Sequence, residues 1–197
     1  MNKKKLISRI VIGSANFTQK YGVYLTKVNF EENKKIINLA NRNNIYEIDT
    51  AKAYFSNKNF FKNFEKRFKF ITKVTPSSRW VSLEYCQSKL MDHLEDFNKN
   101  TVHTLLLHDY KILLTSNGRK IFNNLQQLKK KKFFKKIGIS IYETSHLSFL
   151  LSNYNIDVVQ FPYNVIDNRI ITSGWYDKLK NLEIETHVRS IFLQGLL

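Results

Sequence analysis

Residues 12–22 read IGSANFTQKYG, and this stretch decides between two ways of building a parallel sheet. The apolar run RIVIGSA at 9–15 leads into it and has the β-branched density of a buried strand. In a doubly wound dinucleotide fold, the turn after the first strand carries a GxGxxG fingerprint that lets a pyrophosphate approach a helix N-terminus. Here Gly13 and Gly22 stand far apart with no such spacing. The stretch therefore argues for the other parallel architecture, the (β/α) barrel, in which strand ends converge on one mouth. Gly13 would leave room for close backbone approach there.

The same alternation continues to the end of the chain. Further strand candidates are IYEIDT (45–50), KFITKV (69–74), HTLLLHD (103–109), KKIGIS (135–140), DVVQFPY (157–163) and THVRSIFLQ (186–194). Between them, EENKKIINLANRNN (31–44), SLEYCQSKLMDHLEDFNKN (82–100), GRKIFNNLQQLKKK (118–131), TSHLSFLLSNY (144–154) and SGWYDKLKNL (173–182) space their apolar residues three and four apart, the period of an amphipathic helix. No linker or change of composition interrupts the series, so residues 1–197 read as one α/β domain with a parallel sheet. Chemically capable side chains collect at the C-terminal ends of these strands: Asp49, Lys73, His108, Ser140, Gln160, Asn164, Arg189 and Ser190. A barrel active site requires that distribution.

Composition bounds the function. With 43% hydrophobic residues over 197 positions the chain can fold around a sizeable core. The single cysteine, Cys86, forms no internal disulfide, and Arg9 interrupts the apolar region that a signal peptide in MNKKKLISRIVIG would need. A soluble protein in a reducing, cytoplasmic setting is expected. The formal charge of +16 invites nucleic-acid binding. Against it, only 7 of the 32 basic residues are arginine, and abundant Asn, Ile, Phe and Tyr with 4 alanines resemble genome-wide drift rather than a binding face. The run KKKKFFKK at 129–136 reads as a solvated helix end entering a strand.

Taken in order, IGSANFTQKYG, IDTAKAY (48–54), ITKV, LLLHD, KKIGIS, VVQFPYN and VRSIFLQGLL resemble the successive signature segments of the aldo-keto reductase family. Each piece is ordinary; the ordered set of seven is specific. The resemblance implies a (β/α)8 TIM barrel that binds NADPH, or NADH, without a Rossmann fold and reduces a small-molecule aldehyde or ketone.

Carried over by position, the family's catalytic residues fall on Asp49, Tyr54, Lys73 and His108. Hydride addition to a carbonyl carbon leaves charge on the oxygen, which calls for a proton donor within hydrogen-bond reach. The resemblance makes Tyr54 that donor. A free phenol titrates near pH ~10, so a cation, Lys73, must favour loss of its proton, and Asp49 holds that buried ammonium in place. His108 would orient the substrate oxygen. Taken one at a time, these residues could equally be loop filler, a surface lysine and a core histidine.

The resemblance places the cofactor's nicotinamide amide near Ser140 and Gln160, and its ring and phosphates near Arg189 and Ser190. The chain departs from the pattern in two of these places. Ile141 stands where many members have asparagine, and Arg189 where many have an aromatic ring. The chain also stops at Leu197, straight after the seventh strand, so the last strand and final helices of the barrel are expected to be lacking. Open sheet edges would favour self-association. The alternative reading is an impaired remnant of such an enzyme, or a noncatalytic interaction protein.

Overall fold

A computed structural model of the chain describes residues 7, 9–17, 20, 22–23, 29–54, 67–96 and 99–197. Thr18, Gln19, Tyr21, Phe97, Asn98 and most of the first eight positions, all part of stretches quoted above, lie outside the described residues.

Seven strands form one sheet: β1 (Ile12–Gly13), β2 (Glu47–Asp49), β3 (Lys69–Val74), β4 (Val102–Leu107), β5 (Phe134–Ser140), β6 (Val158–Pro162) and β7 (Glu185–Arg189). Each pairs in parallel with its sequence neighbour, in the order β1-β2-β3-β4-β5-β6-β7. A doubly wound sheet reverses its strand order at a switch point. This sheet never does, so it curls in one direction into an incomplete (β/α)8 barrel.

Helices α1 (Phe30–Arg42), α2 (Leu83–Glu95), α3 (Gly118–Lys130), α4 (Leu147–Asn153), α5 (Arg169–Thr172) and α6 (Trp175–Asn181) connect the strands. Local sequence sets their ends. Asn29 caps α1 by accepting a hydrogen bond from the Glu31 amide at 3.0 Å, and Ser82 caps α2 by accepting from the Tyr85 amide at 3.2 Å. The buried residues of α2 include Cys86, Leu90 and Leu94, and those of α3 include Ile121, Leu125 and Leu128. That spacing lays one apolar stripe of each helix against the sheet.

The two faces of the sheet have different chemistry. Outward-facing Ile48, Phe70, Leu105, Leu107, Ile137, Ile139, Val159 and Phe161 join the helices in one large core. Inside the barrel, Ile71, Leu106 and Val158 pack with Val11 into a separate small cluster. Inward side chains at the strand starts form ion pairs, Lys69 with Glu47 at 3.5 Å and Lys136 with Glu185. The Glu185 carboxyl is held down to about 2 by its hydrogen bond with His187 and then by Lys136. The inward residues at the strand ends are polar as well, so the small apolar cluster separates two polar layers.

Several bounds differ from the sequence reading. The seventh strand ends at Arg189 rather than continuing to Gln194, because Ser190 takes a left-handed backbone at φ 60. The first strand shortens to two residues within 9–15. Helix α5 and the 3-10 turns Ser78–Val81 and Tyr110–Leu114 are additional elements. Beyond β7, Gln194 accepts a hydrogen bond from the Val23 amide at 3.2 Å. Gly22, at φ +86, lies so close that a Cβ there would stand 2.2 Å from the Gln194 carbonyl oxygen. Among the described residues no helix is long and apolar enough to cross a membrane.

Candidate active site

The polar layer at the strand ends is built around Asp49. This residue closes β2, and the 3-10 turn Lys52–Tyr54 follows it directly. Its backbone carbonyl is fixed by two donors from Ser14, the amide at 3.0 Å and the hydroxyl at 3.1 Å. On the side chain, Oδ1 is ion-paired with Lys73. Oδ2 accepts from Gln160 Nε2 at 2.7 Å. The Gln160 amide oxygen in turn accepts from Ser140 Oγ at 3.1 Å.

Lys73 is 5% exposed, so its ammonium has left bulk water and depends on the Asp49 carboxylate. Its Nζ also lies 5.8 Å from the centroid of the Tyr54 ring. One buried cation thus pairs with a carboxylate and lies near the ring of a phenol. The turn that brings Tyr54 back is closed by the Tyr54 amide donating to the Ala51 carbonyl at 2.9 Å.

His108 is the first residue past β4, tied to the neighbouring strand end by its amide donating to Val74 at 2.8 Å. Its imidazole is pushed to lower pKa, first by burial, then by the cations of Lys73 and Arg189, with Asp49 and Asp109 opposing. At neutral pH it is an uncharged ring, able to donate from one nitrogen and accept at the other.

Arg189 ends β7. It donates from Nη2 to the Ile141 carbonyl at 2.9 Å, and its guanidinium carbon stands 4.0 Å from the centroid of the Tyr142 ring. Ile141 therefore offers a backbone acceptor to the arginine, while its own side chain is buried. The arginine stacks on an aromatic neighbour from its own chain. Ser190 lies one step outside the strand, and its carbonyl accepts from Asn164 Nδ2 at 3.2 Å.

Sequence reasoning did not find the Ser14 hold on Asp49, the bond from Gln160 to Asp49, or Tyr142 beneath Arg189. The first two link residues 35 and 111 positions apart, and no local pattern signals such a contact. Tyr142, directly after the Ser140–Ile141 pair, carried only the generic signal of an exposed aromatic near a site. A groove of about 800 Å³ lined by Lys136, Tyr154, Asp157 and Glu185 opens at the opposite end of the strands, and none of the site side chains lines it.

The sequence profile described as the Aldo/keto reductase family matches residues 9–197. The chain belongs to that family. Solved structures agree on the fold. A Pseudomonas aeruginosa protein described as an aldo-keto reductase superposes with a TM-score of 0.74 at 17% identity, over 92% of this chain and 73% of its own. A holo-form aldo-keto reductase of Bacillus halodurans gives 0.75 at 18% identity, over 96% of this chain and 64% of its own. A glycerol dehydrogenase of Gluconobacter oxydans gives 0.70 at 15% identity, over 96% and 61%. The chain thus spans roughly two thirds of the length of these structures. No curated protein matches the sequence.

The family is one of oxidoreductases that generally use NAD(P)H, and the strand ends here keep hydrogen-bonding capacity and open space for a bound group. Gln160 is 2% exposed and, with one bond made at each end of its amide, keeps one N–H and one oxygen lone pair. A Cβ built on Gly13 would meet no atom within 4 Å, which leaves open space at the end of β1.

Proposed function

We propose that this aldo/keto reductase domain reduces a small aldehyde or ketone to the alcohol, with Tyr54 as the general acid. The observation that carries the reading is the buried Lys73 ammonium, paired to Asp49 and facing the Tyr54 ring at 5.8 Å. A nicotinamide dinucleotide, NADPH or NADH, supplies the hydride when bound; Ser140, Gln160, Arg189 and Ser190 are the residues proposed to hold it.

The chain's own residues divide the remaining work. The carbonyl oxygen gains negative charge, and Tyr54 gives it a proton. Lys73 favours that transfer because its positive charge stabilises the phenolate left behind. Asp49 pairs with the Lys73 ammonium and orients it in a poorly hydrated place. His108, neutral at pH 7, donates a hydrogen bond that orients the substrate oxygen and shares its charge.

The test is turnover of a panel of aliphatic and aromatic carbonyls, followed by loss of NADPH absorbance, in the chain and in Tyr54→Phe. Tyr54→Phe is expected to abolish reduction while leaving the NADPH dissociation constant within about threefold, because only the proton donor is removed. Retained turnover in this variant would show that another group is the acid. A wild-type dissociation constant beyond millimolar for both NADPH and NADH would refute the enzyme reading and leave the noncatalytic one.

A further inference from the structure

Asp49 has its two carboxylate oxygens taken by partners from opposite sides of the barrel. Lys73 comes from the adjacent strand β3, whereas Gln160 comes from β6, four strands round from β2. In a wide barrel, such side chains have no reason to meet; here the Gln160 amide reaches the carboxylate at 2.7 Å. The Asp49 carboxylate can only accept, so it fixes which way round the amide lies, with the NH2 toward Asp49, and the Ser140 hydroxyl then donates to the Gln160 oxygen and holds that end. Ser140 and Gln160 are 3% and 2% exposed, so the bond between them is shielded from water, while the Asp49 carboxylate that Gln160 reaches is partly buried.

We infer that Gln160 is a positioning residue for the Asp49–Lys73 pair, acting as a brace across the barrel in addition to any contact with cofactor. A carboxylate held at only one oxygen can swing about its Cβ–Cγ bond. Held at both, it fixes the ammonium that Tyr54 depends on. The brace also joins two jobs in one amide: a ligand that engages the remaining N–H or lone pair of Gln160 pulls on the group that orients Lys73. Cofactor seating and readiness of the acid are thereby coupled through a single side chain. The inference rests on the proposed reductase reading for its catalytic consequence, but the brace itself is a property of the folded chain.

Two measurements separate these. In the first, urea denaturation midpoints are compared for the wild type, Gln160→Met, Asp49→Ala and the double variant. A brace predicts that the double variant loses less than the two single losses together, since either change alone breaks the shared bond. Additive shifts would overturn the brace whether or not the protein is an enzyme. In the second, kcat and the KM for NADPH are measured for Gln160→Met. Positioning predicts at least a tenfold fall in kcat at saturating NADPH, accompanied by a higher KM. A raised KM with kcat within twofold of wild type would reduce Gln160 to a cofactor contact and refute the inference. If Gln160→Met does not fold, Ser140→Ala takes its place, with a several-fold fall in kcat expected and a change in KM alone refuting. A wild type without turnover would count against the reductase reading only, and the denaturation cycle would still decide the brace.

Discussion

Replacing Lys73 by methionine isolates the electrostatic part of the proposed chemistry. The two side chains have similar length and volume, so the site keeps its packing and loses only the charge. The ammonium lies 5.8 Å from the Tyr54 ring centroid. At an effective dielectric of about 20, a full negative charge developing on that ring gains about 3 kcal/mol from the cation, or roughly a hundredfold in rate. Asp49 would also lose its ion-pair partner, although Gln160 still donates to its other oxygen. Lys73→Met is therefore expected to lower kcat by roughly a hundredfold or more with little change in the KM for NADPH. The assay is steady-state NADPH oxidation, with far-UV circular dichroism to verify that the variant is folded. Lys73→Arg, which keeps the charge but spreads it over a planar group, should recover part of the loss. A folded Lys73→Met with kcat within threefold of wild type would refute the argument that this cation drives proton release from Tyr54.

Two further predictions concern the framework. Gly138 lies in β5 where a Cβ would stand 2.3 Å from the Val158 carbonyl oxygen and 2.7 Å from Leu106 Cδ2, so Gly138→Ala should cost about 1–3 kcal/mol or more and lower the urea midpoint. An unchanged midpoint would mean that β5 and β6 are less tightly apposed than described. His93 lies on the buried face of α2, 2% exposed, with Nε2 2.7 Å from Thr72 Oγ1. Burial, and then Lys52, push its pKa down from 6.5 to about 4, with Asp96 opposing. Between these values the unfolded chain binds a proton that the folded chain refuses, so stability falls as pH drops from about 6.5 to about 4 and levels off below. The shift corresponds to roughly 3 kcal/mol. A urea series across that range reads it, and His93→Gln should flatten this component; an identical slope in the variant would assign the acid sensitivity elsewhere.

The fold was legible where the physics is local. KFITKV at 69–74 matches β3 residue for residue, because a strand buried on both faces carries apolar residues such as Phe70, Ile71 and Val74 in close succession. The absence of GxGxxG and the placing of Asp49, Lys73 and His108 at strand ends pointed to a barrel, and the sequential strand order agrees. Boundaries were less readable where backbone conformation decides them. Nothing in SIFLQ announces that Ser190 turns left-handed, so the apolar run looked like more strand. In the site, residue types could be located one by one, but their partners could not. Arg189 read as a residue beside a cofactor's ring and phosphates; in the fold it lies on Tyr142 and binds the Ile141 carbonyl. The link from Gln160 to Asp49 depends on barrel curvature, which no stretch of sequence encodes by itself.

The apolar cluster of Ile71, Leu106, Val158 and Val11 acts as a spacer within the barrel. The charges that shift His108 are Lys73, Arg189, Asp49 and Asp109 at the strand ends, and none of Glu47, Lys69, Lys136 and Glu185 at the strand starts is among them, so exchanging or neutralising the latter bears chiefly on robustness. The opposite end keeps its own electrostatic climate. Durability and reactivity therefore occupy separate compartments of one short sheet, and an engineer could tune the first without retuning the second.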